Sequence, residues 1–159
     1  MACWLLKTEP DTFSIDDLAS RPGQTEPWDG VRNYQARNFI RDGMRVGDEV
    51  LVYHSSCAVP GVVGLARVAG KPRPDPTQFD PESPYFDPGS DPDHPRWVLV
   101  DVRYLRHLPR PVTLAELKQH ADALDGLALL RRSRLSVMPV SEAQRDFILA
   151  LAGDGSAKA

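Results

Sequence analysis

Cysteine is scarce in this chain. Cys3 and Cys57 are its two among 159 residues, which excludes a disulfide framework and the paired spacing of a structural zinc site. A reducing cytoplasm is therefore the expected setting. Long apolar runs are also missing. Nothing approaches the roughly 18 consecutive residues that span a bilayer, so no membrane partner is expected. The opening MACWLLKTEP lacks the basic flank and extended apolar stretch of a signal peptide. There is no surplus of positive charge: the net charge is −3, which excludes a nucleic-acid binder that works by bulk electrostatics. Phosphate-cradling and dinucleotide glycine fingerprints are absent. The four histidines (His54, His94, His107, His120) are scattered without metal-ligand spacing. Neither a metal nor a cofactor is expected.

The charge that is present is unevenly placed. Acids gather between Asp75 and Asp101, whereas arginines gather at Arg32, Arg37, Arg41 and Arg45 and again at Arg131, Arg132 and Arg134. Two basic groups in an acidic chain permit local phosphate contacts, and Arg37, Arg41, Arg131, Arg132 and Arg134 are the candidates.

Periodicity and punctuation predict the elements. CWLLK (Cys3 to Lys7) reads as a buried strand, and Ser14 as the cap of a short helix that ends before Pro22-Gly23. Asp29-Gly30 is a turn, and Asn33 a cap for a helix from about Tyr34 to Asp42. EVLVYHS and VVGLARV are strands, with Gly64 in the second marking a bulge or a close backbone approach. Lys71 to Arg96 holds eight prolines, yet Phe79, Tyr85 and Phe86 give it anchors, so an ordered long loop is expected. Trp97 to Leu105 is a strand, Thr113 opens a helix to about His120, and Leu124 to Leu130 is a short helical run. Arg134 to Val140 is a strand and Ser141 caps a last helix. This order predicts an α+β domain around a small antiparallel sheet or barrel.

The residues that stand out form a binding set. WDGVRN offers the flat face of Trp28 and the donor and acceptor of Asn33. Lys7 and His54 add donors, and Ser55 and Ser136 place hydroxyls at strand ends. This inventory suits a planar heterocycle held by stacking and read at its edge. The competing readings are that Trp28 is a core anchor and Asn33 only a helix cap.

WLLKTEP, WDGVRNYQARNFIR, VGDEVLVYHSSC, PGVVG, DPTQFDP, YFDP, PRWVLVDV, RPVTLAELK and RLSVMPVS, in that order along nearly the whole chain, strongly resemble EVE-domain proteins. These belong to the PUA-like group, alongside the YTH readers of methylated adenine. The resemblance implies a PUA-like fold, a twisted small β-barrel with flanking helices; length and composition give one domain over residues 1–153 followed by a frayed tail, 154–159. It implies a pocket for a modified base in DNA or RNA. The tryptophan and asparagine of the family motif are Trp28 and Asn33, its lysine Lys7 and its YHSS serine Ser55; the RLSV segment adds Leu135, Ser136 and Val137.

The expectation is thus a non-catalytic reader of a modified nucleobase, methylcytosine among the candidates, with no obligate protein partner. One alternative is an enzyme acting on a modified base or nucleotide, for which His54 is the candidate acid–base group. Another is a small-molecule or protein-interaction module.

Overall fold

The computed structural model describes residues 2–132 and 134–154. The first apolar run forms β1 (Cys3–Thr8). Ser14 then opens α1 (Ile15–Ser20): its hydroxyl accepts from the Asp17 N–H while the Asp17 carboxylate accepts from the Ser14 N–H. β2 (Thr25–Pro27) leads to α2 (Tyr34–Asn38). Asn33 caps α2 as expected, its Oδ1 accepting from the Ala36 N–H at 3.0 Å. The helix predicted to reach Asp42 instead widens into one π turn over Phe39–Gly43. That turn sets Gly43 against Trp4, where a Cβ would lie 2.6 Å from the indole ring.

β3 (Glu49–His54) and β4 (Gly61–Val68) form the expected antiparallel pair. Gly64 is the close approach: a Cβ there would fall 1.9 Å from Ile15 Cδ1, so α1 lies directly on the sheet. The expected strand Trp97 to Leu105 divides at Val100. Its first part is β6 (Val98–Leu99), paired with the short β5 (Arg73–Pro74). The remainder becomes β7 (Asp101–Thr113), longer than predicted. β7 carries Pro109 and Pro111 because its ladder with β4 skips from Val62–Val112 to Gly64–His107. The prolines thus stand in a bulge, where no ladder N–H is required.

Thr113 caps α3 (Leu114–Gln119), β8 spans Val137–Val140, and Ser141 closes a capping box on α4 (Glu142–Leu151). The helical run expected at Leu124 to Leu130 reduces to a 3-10 turn over Ala128–Leu130. The strand expected from Arg134 begins only at Val137.

The six main strands lie in the order β2-β7-β4-β3-β1-β8, a curled sheet of the PUA-like α+β kind. Contrary to the antiparallel expectation it is mixed, because β1 pairs with β3 in parallel and with β8 antiparallel. Ile15 and Leu18 of α1, Ile148 and Leu149 of α4, and Leu5, Leu51 and Leu65 of the sheet are buried in one core.

The long proline-rich loop packs on the domain as predicted. The Gln78 amide donates to the Asp75 and Trp97 carbonyls, and the Trp97 indole donates to Asp87 at 2.7 Å. Asp154, expected to begin a frayed tail, accepts from Arg106 at 3.1 Å. The rest of that expected tail, 155–159, lies outside the described residues.

Candidate functional site

Strand direction decides which side chains meet. β1 and β3 run parallel with Lys7 beside Tyr53 and Thr8 beside His54, so both strands end at the same rim of the sheet. β8 runs the other way with Leu6 opposite Val137, which brings its leading residue, Ser136, to that rim. Two further backbone bonds fix the corner: Lys7 N–H donates to Ser136 C=O at 2.9 Å, and Ser55 N–H to Thr8 C=O at 2.9 Å.

The second wall is built from loops. Trp28 N–H donates to Val100 C=O at 2.8 Å, which carries the chain from β2 into the WDG turn. Gly30 has φ +80°, a conformation costly for any residue with a Cβ. Its N–H donates to Asp75 Oδ2 at 2.9 Å. Arg32 Nη1 donates to the same oxygen at 3.1 Å, and the Thr77 N–H and hydroxyl donate to the other oxygen at 2.8 and 2.6 Å. Arg32 also reaches the Tyr85 carbonyl at 2.8 Å. Asp75 is fully buried. Burial alone would raise its pKa, but the bonds from Thr77, Gly30 and Arg32 outweigh it and hold the carboxyl below the usual carboxylate range. One buried anion therefore ties the WDG turn to the proline-rich loop and delivers the Tyr85 ring against Gly30.

Between the two walls lies an open cavity of about 520 Å³, within the size range of small-ligand sites. Phe13, Trp28 and Tyr85 supply its aromatic surface. Trp28 is only 7% exposed and meets Phe13 edge-on, ring centres 5.9 Å apart. It is thus both a core side chain and part of the cavity lining. Lys7 is half-buried there, its ammonium 5.8 Å from the Tyr53 ring centre, and burial lowers its pKa. Ser55 and Ser136 complete the part of the lining foreseen in the sequence, and Arg134, expected as a phosphate contact, lines the cavity with them.

Other expected residues are placed elsewhere. Asn33 is exposed, outside the cavity lining, with its Oδ1 committed to the α2 cap. The His54 ring nitrogen accepts from the Ile15 N–H at 3.1 Å under α1, and burial lowers its pKa. Neither Leu135 nor Val137 lines the cavity; both are in the core.

The arginines divide as well. Arg37 donates to the Arg96 carbonyl and to Asn38, Arg41 forms a bidentate pair with Asp42, and Arg131 pairs with Asp125. Arg132 is exposed away from the cavity lining, so Arg134 is the one foreseen arginine at the site.

Phe13, Asp29, Glu26 and Tyr85 line the cavity without having been singled out. Asp29 stood inside the quoted WDGVRN motif but read as a turn residue. Tyr85 read as a loop anchor, and its contact with a turn more than fifty positions earlier leaves no local trace. Asp29 is exposed at the cavity; partial desolvation of its carboxyl there, then the charges of Asp75 and Glu26, raise its pKa above the ordinary carboxylate value.

Among the described residues no cluster of His, Cys, Asp or Glu could hold a metal ion, and no helix is long and apolar enough to cross a membrane. The arrangement can enclose a flat aromatic ligand between side chains and offer both donors and acceptors at its margin.

Comparison with known proteins agrees with this fold. A model of the EVE domain family matches residues 2–151. Human thymocyte nuclear protein 1 is 43% identical over 93% of this chain and 72% of its own length; its name places that relative in the nucleus and lends no support to the cytoplasmic setting expected here. Among solved structures, the human THYN1 protein in complex with DNA containing 5-methylcytosine superposes with a TM-score of 0.93 at 42% identity, covering 96% of this chain and 98% of that one. A Pseudomonas putida protein superposes with a TM-score of 0.89 at 51% identity, covering 95% and 99%. With this fold and these matches along almost its full length, the chain belongs to the EVE domain family.

Proposed function

We propose that this protein is a non-catalytic reader of a modified base in DNA, 5-methylcytosine being the favoured mark. One observation carries the reading: an aromatic-lined cavity of about 520 Å³, open at the end of the sheet, in a chain that superposes on a relative solved with 5-methylcytosine DNA. A base inside a duplex cannot reach such a cavity, so the target nucleotide is flipped out or single-stranded. Trp28, Phe13 and Tyr85 provide the apolar surface for ring and methyl group, Lys7, Ser55 and Ser136 the polar margin, and Arg134 a phosphate contact. The enzymatic alternative loses its candidate, since the His54 ring nitrogen is held by the Ile15 N–H outside the cavity lining.

The test is a panel of oligonucleotides, each with one modified base, as DNA and as RNA. The methylated cytosine should bind more tightly than plain cytosine by roughly 10–200-fold, the worth of one methyl group in an apolar site. Equal affinity across the panel would overturn the reading. Tighter binding to the RNA arm would move the proposal from DNA to RNA.

A further inference from the structure

Asp29 is a cavity carboxylate that, like Glu9, accepts no hydrogen bond and forms no ion pair with another side chain among the described residues, and it directly follows Trp28. Glu26 is ion-paired with Arg21 at 3.3 Å, and Asp75 is enclosed by its four donors. Among the described residues, no other residue is found hydrogen-bonded to the Asp29 carboxylate; its own N–H is turned back to the Pro27 carbonyl at 3.1 Å. Trp28, the residue before it, lines the same cavity, so a base resting on the aromatic surface and the Asp29 side chain share one site.

The Watson–Crick edge of cytosine presents a donor, the N4 amino group, next to an acceptor, ring N3. An ionised carboxylate satisfies the first and repels the second. With one proton between carboxyl oxygen and N3 both bonds form, whichever atom owns that proton. The surroundings favour holding it. Partial desolvation, then the charges of Asp75 in the proline-rich loop and Glu26 on β2, raise the Asp29 pKa, against its own backbone N–H and the Arg32 charge. Lys7, Glu9, Arg21 and Arg134 are the other charged groups around the cavity.

We infer that Asp29 reads the Watson–Crick edge of the bound cytosine, and that binding takes up one proton shared between its carboxyl group and ring N3. This rests on the proposed reading of a flipped cytosine, but concerns a different part of the base. The methyl group faces apolar surface and carries no proton. The preference for methylated over plain cytosine is therefore independent of pH, while affinity for both falls as pH rises above the free Asp29 pKa, by up to roughly tenfold per pH unit.

The experiment titrates DNA oligonucleotides carrying 5-methylcytosine or cytosine into wild-type protein, Asp29→Asn and Asp29→Ala from about pH 5 to about pH 8, a window around and above ordinary carboxylate values. Calorimetry of the wild-type protein in two buffers of different ionisation enthalpy gives the proton uptake directly, so the inference is testable even if a variant fails to fold. Wild-type binding should take up close to one proton where free Asp29 is ionised. Asn at this position offers a carbonyl to N4 and an N–H to N3 without titrating, so D29N should bind with a flat pH profile. D29A should bind at least about tenfold more weakly at low pH, the loss of a paired edge contact.

No proton uptake by the wild type, a D29N profile as steep as the wild type's, or full affinity in D29A would each overturn the role of Asp29. A pH slope with no preference for the methyl group would instead sink the reading of the mark and leave the edge contact standing. Absence of binding in every arm would end both.

Discussion

The two walls of the cavity are held in different ways. The strand-end wall, with Lys7, Ser55 and Ser136, is fixed by backbone bonds within the β1, β3 and β8 ladder. No single side chain is needed to keep it. The loop wall, with Trp28, Asp29 and Tyr85, depends on a few side chains converging on Asp75. A ladder spreads its stability over many bonds, each worth about 1 kcal/mol net. A strap around one buried anion concentrates it. The loop wall is therefore the part that substitutions can dismantle while the sheet survives.

The largest effects should come from the loop wall. Asp75→Ala removes the acceptor for Gly30, Arg32 and Thr77 and leaves donors unsatisfied. It should destabilise the protein by about 3–5 kcal/mol, as for a broken buried pair, measured by denaturant unfolding, with Asp75→Asn falling between. A milder loss than in a comparable exposed ion pair such as Arg41–Asp42 would mean the loop has other fastenings.

The same carboxylate sets an acid limit. Its folded pKa lies below the ordinary 3.8. Its stabilising contribution is therefore present above that ordinary value and lost as pH falls through the depressed folded value. Unfolding midpoints across that acid range should drop in the wild type and drop less in Asp75→Asn.

Trp28→Ala belongs in the same size class. With 7% of the residue exposed, emptying its site should cost about 3–5 kcal/mol of stability. Because Trp28 also lines the cavity, binding to a methylcytosine oligonucleotide should weaken by about 1–3 kcal/mol in the protein that remains folded. An unaltered melting curve would show that Trp28 is not the core side chain it is in the structure.

Gly30→Ala should be smaller, about 1–3 kcal/mol, because the new Cβ is strained at φ +80° and would lie 2.7 Å from the Tyr85 ring. Its effect on oligonucleotide affinity should exceed that of any single exposed substitution near the strand ends. Asn33→Ala comes next: loss of the α2 cap should cost about 0.5–2 kcal/mol of thermal stability with affinity unchanged. A large drop in affinity with an intact fold would restore Asn33 to the binding site.

The weakest lever is salt. With Arg134 the one foreseen arginine at the cavity and two or three phosphates neutralised, the log–log slope on single-stranded DNA should be about −2. A slope steeper than about −5 would require a basic track beyond that arginine.

The sequence determined the local events. Ser14, Asn33, Thr113 and Ser141 cap helices where their hydrogen-bonding side chains precede helical runs, because a cap acts on N–H groups two or three residues away. The strands at Cys3, Glu49 and Gly61 follow from apolar runs bounded by Pro and Gly, and the motifs carried the family. Trp28, Lys7, Ser55 and Ser136 could be singled out for a base pocket, and Arg134 for a phosphate contact, because their chemistry is written in single residues. What distance decided was not legible. The parallel pairing of β1 with β3 and the antiparallel pairing of β1 with β8 are set by the whole sheet, yet together they bring Lys7, Ser55 and Ser136 to one rim. Tyr85 became part of the wall, and Arg32 part of a strap, only through Asp75, whose partners Gly30 and Arg32 lie more than forty positions earlier. Asn33 and His54 were spent on backbone N–H groups that a sequence pattern does not place in space. Residue type offers a hydrogen bond, but the tertiary fold decides who takes it, because a buried donor or acceptor pairs with whatever packing brings within reach.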